Sequence, residues 1–247
     1  MTAHPPVMIL GCGRSGTSIF GELFEGLANY SYVSEPPFAD VLATDFSEPW
    51  AFKVPHESAG FPALPGLSFP LEQMLIAAPA VRFFWIVRHP LDAISSLRIG
   101  IAQNWGHHPR PPDWHDWHDW LDRPLVEQCA HQWAFLNRAG FTQVAAVAEV
   151  VHFEAMIRDP LAFARSVCAR IGVDGDAHDA TLQRWAARVQ DSNNAAFIEA
   201  KTSRGYSRND HKVRLGRWRE NLSEEEIDRI WPIVAAPAER FGYARPG

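Results

Sequence analysis

The stretch "VMILGCGRSGTSIF", residues 7–20, runs from an apolar segment through a glycine-rich turn into a helical pattern. Val7 to Leu10 reads as a buried strand, and the helix begins near Thr17. Gly11, Gly13 and Gly16 let the backbone between them turn tightly with its N–H groups pointing inward. The helix start adds a positive end, so the turn welcomes an anion. The spacing nearly repeats the phosphate loop GxxxxGK[ST], yet Thr17 stands where the lysine belongs. Enzymes of nucleoside triphosphates use that lysine to reach the β- and γ-phosphates beside a metal ion. Here Arg14 puts a cation inside the loop instead, with Ser15, Thr17 and Ser18 as further donors. A nucleotide whose reactive group is not a metal-bound triphosphate suits this arrangement better.

Short apolar runs alternate with longer helical patterns along the rest of the chain. Strands are expected at 7–11, 31–34, 50–54, 81–87 and 148–153, and helices at 17–29, 70–78, 90–102, 121–139, 159–171, 177–190 and 223–240. The alternation predicts an α/β fold of the P-loop type: three α/β/α layers around a central, mainly parallel five-stranded sheet. Ligands in such sheets bind beyond the carboxyl ends of the strands, where the loop would lie. A single domain over residues 1–247 is expected, with a lid-like insert at about 104–120 and a basic, nucleotide-covering loop at about 191–219. Ser223 with Glu226 three residues on forms a capping box for the last helix.

A second constellation is "RHPLDAISS", residues 88–96. Arg88 ends the strand "VRFFWIV", and Pro90 stands at the first position of the next helix, so Arg88 can meet an anion there. It can equally pair with Asp92 in the same turn. Glu154 ends another strand and keeps a phosphotransferase reading open. Lys212, Arg214 and Arg217 belong to a basic run with Lys201, Arg204, Arg208 and Arg219, in a chain whose only lysines are Lys53, Lys201 and Lys212. Such a run is a solvated face by default, but in an acidic protein it also suits a polyanionic nucleotide.

With these residues in view the chain resembles the sulfotransferases that use 3′-phosphoadenosine 5′-phosphosulfate (PAPS). Their 5′-phosphosulfate loop, [KR]-SGT-[TS], is similar to "RSGTS" at 14–18. Their arginine-to-serine 3′-phosphate signature is similar to Arg88 through Ser96. "VHFEAMIRDP", 151–160, resembles their "YEDL…P" segment, and "HKVRLGRW", 211–218, their "RKGxxGxW" element. The resemblance implies cofactor contacts from Gly13, Arg14, Ser15, Gly16, Thr17, Ser18, Arg88, Ser96, Lys212, Arg214, Gly216 and Arg217. It departs at Ile19, where many members stack a tryptophan on adenine, and at His211 and Val213.

The implied reaction moves a sulfuryl group in line from PAPS to a hydroxyl or amine of a small-molecule or carbohydrate acceptor, leaving adenosine 3′,5′-bisphosphate (PAP), with no metal. Arg14 and Lys53 would meet the leaving phosphate. A general base must take the acceptor's proton. The cytosolic branch carries a histidine two residues after its matching lysine; here that place holds Pro55, with His56 one residue late. Glu35, in "VSEPPF", matches the glutamate of the glycosaminoglycan-modifying branch. Glu35 is therefore the expected base and His56 the second candidate. The alternatives are a P-loop nucleotide phosphotransferase, which would bind ATP with Mg²⁺, and a non-catalytic nucleotide-binding protein on the same fold.

Trp105, Trp114, Trp117 and Trp120 could wall an acceptor or simply pack a helix on the core. His107, His108, His115 and His118, with Asp116 and Asp119, lie near one another without a fixed ligand motif, so no metal site is expected. Cys12 lies near a helix start, which lowers a thiol's pKa, though its small size alone explains its place. Three scattered cysteines argue against a disulfide framework and for a reducing compartment. The net charge of −6 gives no electrostatic reason to expect nucleic acid or an anionic membrane as partner. No apolar run approaches a membrane span. A cytoplasmic protein is expected.

Overall fold

The computed structural model describes residues 4–55, 69–100, 116–189 and 213–246. The strands are β1 (Val7–Gly11), β2 (Ser31–Ser34), β3 (Trp50–Lys53), β4 (Arg82–Val87) and β5 (Ala148–His152). They form one five-stranded sheet in the order β2-β3-β1-β4-β5. All four pairings are parallel, with Val7 opposite both Ala51 and Arg82. Every strand therefore points its carboxyl end at the same edge, and the loop after β1 sits near the middle of that edge.

Alternation along the central strands explains the layers. Met8, Leu10, Phe83, Trp85 and Val87 enter one buried cluster, while Val7, Ile9, Phe84 and Ile86 enter another. The first face is covered by α2 (Phe38–Leu42), α3 (Leu71–Ala77), α4 (Pro90–Gly100), α6 (Leu125–Phe135), α7 (Phe141–Val144) and α12 (Glu224–Arg240). The second carries α1 (Thr17–Gly21), α8 (Phe153–Arg158), α9 (Pro160–Ile171) and α10 (Asp179–Arg188). Two short helices, α5 (Trp117–Asp122) and α11 (Trp218–Asn221), complete the set.

Local chemistry sets the ends. Ser223 and Glu226 make the reciprocal capping box at α12. Asp159 caps α9 through the Ala162 N–H, Pro160 occupies its first turn, and Gly172 closes it in the left-handed region. The helix expected over 17–29 is shorter: α1 passes into a 3₁₀ turn at Glu22–Glu25, and Ala28 and Asn29 take positive φ. The stretch expected as one helix over 121–139 is several pieces. Arg123 and Pro124 separate α5 from α6, and α6 runs on through a π turn at Leu136–Gly140 into α7. Helix α5 also begins inside the segment expected to be a lid, with Asp116 capping it from the N–H groups of His118 and Asp119.

Candidate active site

The loop after β1 closes on itself, with the Ser15 N–H donating to the Cys12 carbonyl at 3.1 Å. Arg14, not Gly13, takes the left-handed conformation, at φ 65°, and Gly16 follows at φ 95°. A side chain on Gly16 would also strike the Phe153 ring, 2.4 Å from where its Cβ would stand. Two further strained residues lie at the same edge of the sheet, Glu35 at φ 56° just past β2 and Val54 at φ 45° just past β3. A β-branched residue in that region costs energy, and such strain gathers where a site demands a fixed geometry. The turn at Val54 is held by its N–H, which donates to the Ile9 carbonyl at 2.8 Å.

These bends set two side chains against each other. Lys53, the last residue of β3, is 4 % exposed. Its Nζ lies 2.5 Å from Glu35 Oε1 and 3.2 Å from Ser18 Oγ. The Glu35 N–H reaches across to the Lys53 carbonyl at 2.7 Å, extending the β2–β3 ladder by one bond. The Glu35 side chain is 42 % exposed, so one end of the pair is open to a second molecule.

Arginines gather on the other flank. Arg14 donates from Nε to Ser96 Oγ at 3.0 Å. Arg88 is buried under the loop, its guanidinium 4.3 Å above the Phe153 ring. It donates to the Arg14 carbonyl at 3.0 Å and to the Arg214 carbonyl at 2.7 Å. Arg214 and Arg217 are buried beside it. Burial, followed by the charge of Arg88 and smaller contributions from Arg14 and Arg214, pushes the Arg217 guanidinium down to about 9, with Asp92 opposing. Burial likewise lowers Arg88, against the opposing pull of Asp92 and Glu154. Like charges gathered out of water raise the energy of the unliganded protein, and Asp92 offsets part of that cost.

Asp92 does not ion-pair with Arg88, which was one reading of the sequence. Its Oδ2 accepts the Gly216 N–H at 2.8 Å and its Oδ1 the Trp218 N–H at 3.0 Å. One carboxylate on α4 thus clamps the turn that carries Arg214 and Arg217, and Gly216 supplies the required φ of 72°. Nothing local in the sequence marked this, because the partners lie 124 and 126 residues away. Phe153, which seats both Gly16 and Arg88, was missed too; the sequence reading ran it on as the end of β5. Its signal was the Asp159-Pro160 cap downstream, which leaves room for a short helix before it.

Glu154 is engaged by the protein through both oxygens, accepting the His89 N–H at 2.8 Å and the Tyr243 hydroxyl at 2.7 Å. That removes the observation that favoured a metal-dependent phosphotransferase. Cys12 is buried, and burial pushes its thiol up rather than down. His56, Lys212 and the run from Lys201 to Arg208 lie outside the described residues, as do Trp105, His107, His108, Trp114 and His115. His118 and Asp119 stand exposed on α5, and Trp120 is buried. Among the described residues no group of three or more His, Cys, Asp or Glu is placed to hold a metal ion, and no helix is long and apolar enough to cross a membrane.

No family model matches the sequence, and no curated protein does. Solved structures do match it in three dimensions. A mouse sulfotransferase complexed with PAP is 13% identical, with a TM-score of 0.61 over 95% of this chain and 84% of that one. The sulfotransferase domain of a Synechococcus olefin synthase is 16% identical, with a TM-score of 0.60 over 100% of this chain and 98% of the other. Retinol dehydratase, in complex with androsterone and the inactive cofactor PAP, is 14% identical, with a TM-score of 0.60 over 98% of this chain and 82% of its own. The parallel sheet, its order of elements and the near-complete overlap with these three structures give this chain the sulfotransferase fold.

Proposed function

We propose that this protein is a PAPS-dependent sulfotransferase. The observation that carries the reading is the convergence of Arg14, Arg88, Arg214 and Arg217 on a glycine loop whose flank holds the Lys53–Glu35 pair. The residues fit a nucleotide with two separate anionic ends. Ser15 Oγ and Arg88 Nε are buried without a hydrogen-bond partner among the described residues, as expected of donors kept for a ligand. The loop N–H groups of Gly13, Arg14 and Gly16 to Ser18, with the Arg14 guanidinium and the Ser15 hydroxyl, would hold the 5′-phosphate. Arg88, Ser96, Arg214 and Arg217, with Lys212, would hold the 3′-phosphate, and Gly216, whose N–H is taken by Asp92, would serve by turning the backbone that carries the two arginines. Bound there, the nucleotide supplies a sulfuryl group on a phosphate oxygen.

The chain's own work is to orient, neutralise and take a proton. Arg14 and Lys53 place positive charge where negative charge grows on the leaving side. Glu35 takes the acceptor's proton: its carboxylate is the accessible member of the pair, at the mouth of the site, and a base must reach the acceptor within hydrogen-bond distance. His56 stays the second candidate. The acceptor is a hydroxyl or amine on a small molecule or carbohydrate; androsterone beside PAP in a structural neighbour supports the small-molecule class. No step requires a metal.

Calorimetric titration tests this directly. PAP should bind at micromolar concentration or better, AMP much more weakly, and ATP with Mg²⁺ no better than AMP. Tight binding of ATP with Mg²⁺ and indifference to the 3′-phosphate would overturn the reading in favour of a phosphotransferase. PAP binding without turnover on any acceptor, unchanged by loss of Glu35, would favour a non-catalytic nucleotide-binding protein.

A further inference from the structure

We propose that Tyr243, which lies beyond α12 and outside every motif of the nucleotide site, is a positioning residue for the 3′-phosphate anchor Arg88. The proposal rests on the nucleotide reading above. The Tyr243 hydroxyl donates to Glu154 Oε2 at 2.7 Å, and Glu154 Oε1 accepts the N–H of His89 at 2.8 Å. His89 directly follows Arg88, so the carboxylate pins the turn between β4 and α4 on which the guanidinium hangs. The Tyr243 ring also stands edge-on against the His89 ring, with centroids 5.3 Å apart. His152 Nδ1 lies 3.2 Å from the same hydroxyl, at the end of β5.

Arg88 needs this support because its charge is almost wholly withdrawn from water. Burial works against the charged guanidinium, and Asp92 and Glu154 are the two carboxylates that oppose the loss. Asp92 spends both oxygens on the N–H groups of Gly216 and Trp218. Glu154 is therefore the carboxylate whose placement at the Arg88 turn depends on a side chain from the segment after α12. The phenol is a dependable donor: burial, reinforced by Glu154, raises its pKa, so it keeps its proton. Loss of the hydroxyl would leave Oε2 without that donor and free the carboxylate to rotate away from the His89 N–H.

Tyr243→Phe isolates the effect, since it keeps the ring against His89 and removes one oxygen. Losing one such bond predicts a PAP dissociation constant about threefold to tenfold higher, with AMP affinity unchanged. Amide hydrogen exchange in the peptide spanning residues 84–94 should quicken in the same variant. Glu154→Gln, which keeps an acceptor for His89 but drops the charge, should shift PAP against AMP in the same direction. A purely structural loss would weaken both nucleotides together, and that outcome would overturn the proposal. So would a Tyr243→Phe protein that discriminates PAP from AMP as the wild type does. Equal wild-type affinities for PAP and AMP would overturn the functional reading itself, and the positioning role with it.

Discussion

Lys53 and Glu35 meet at 2.5 Å although 18 residues separate them, because Ser34 and Lys53 are opposite partners in the β2–β3 ladder. The turn at Glu35 brings the next side chain over its neighbour strand's last residue. An ammonium carries three protons, so bonds to Glu35 and Ser18 leave Lys53 one for a phosphate, and nucleotide binding does not depend on the Glu35 charge. Glu35→Gln should therefore cut kcat by about a hundredfold to ten-thousandfold, the usual range for a general base, while PAP affinity stays within about twofold. Steady-state rates beside PAP titrations decide it. A His56→Ala protein with that pattern, and a Glu35→Gln protein without it, would move the base to His56.

Arg88 is bound to two backbone carbonyls, one in the phosphate loop and one in the clamped turn after it. Its loss should therefore do two separable things. Arg88→Ala should lower Tm, because buried carbonyls lose a charged donor. It should also raise the PAP dissociation constant by more than that of AMP. Arg88→Lys should recover part of the Tm but little of the PAP affinity, since a single ammonium cannot span both carbonyls and keep a donor for the ligand. Equal losses for the two nucleotides would remove Arg88 from the 3′-phosphate site.

The sequence exposed the parts of this site that are local. Strand β1, the loop and α1 are contiguous, so glycine spacing and an apolar run disclosed them together. The five strand positions were legible because their apolar runs are short and bounded, each within a residue or so of the observed ends. Arg88 and Ser96 were singled out by their eight-residue separation, which resembles the sulfotransferase 3′-phosphate signature. What stayed hidden was long-range. The bond from Arg14 to Ser96 joins residues 82 apart, and the grip of Asp92 on the turn at Gly216 joins residues 124 apart. Neither leaves a periodic trace. Glu154 kept a phosphotransferase reading open for the same reason: its two protein donors, His89 and Tyr243, lie 65 and 89 residues away. The split of the helix expected over 121–139 had a visible cause in Pro124, which a purely periodic reading passes over.

Gly16 combines two constraints that a single methyl group would violate. Its φ of 95° disfavours any side chain, and the Phe153 ring fills the space a Cβ would take. Gly16→Ala should cost about 1–3 kcal/mol of stability from backbone strain, and more from the clash. Because Phe153 also lies under Arg88, the displaced ring should carry the damage into nucleotide binding. The double variant Gly16→Ala with Phe153→Leu relieves the clash and keeps the strain. It should recover part of the Tm and little PAP affinity, as measured by thermal unfolding and calorimetry. Full recovery of both would show that the ring's contact with Arg88 has no part in binding.

Arg217 tests whether the arginine cluster is built for an anion or for the fold. Its guanidinium is buried, donates to the Val213 carbonyl at 3.2 Å, and is pushed down to about 9 by burial and the neighbouring charges of Arg88, Arg14 and Arg214. Such repulsion is a cost to the unliganded protein that a bound polyanion would relieve. Arg217→Gln removes the charge while keeping a donor for the carbonyl. The variant should unfold at a temperature equal to or above that of the wild type without nucleotide, a trade of stability against function seen where sites hold strain. With PAP the order should reverse. At a hundredfold excess over its dissociation constant a ligand adds about 2.7 kcal/mol to the protein that binds it, and the wild type should gain that while the variant gains much less. A variant that loses stability without nucleotide and still gains normally from PAP would make Arg217 a structural residue and leave the 3′-phosphate to Arg88 and Ser96.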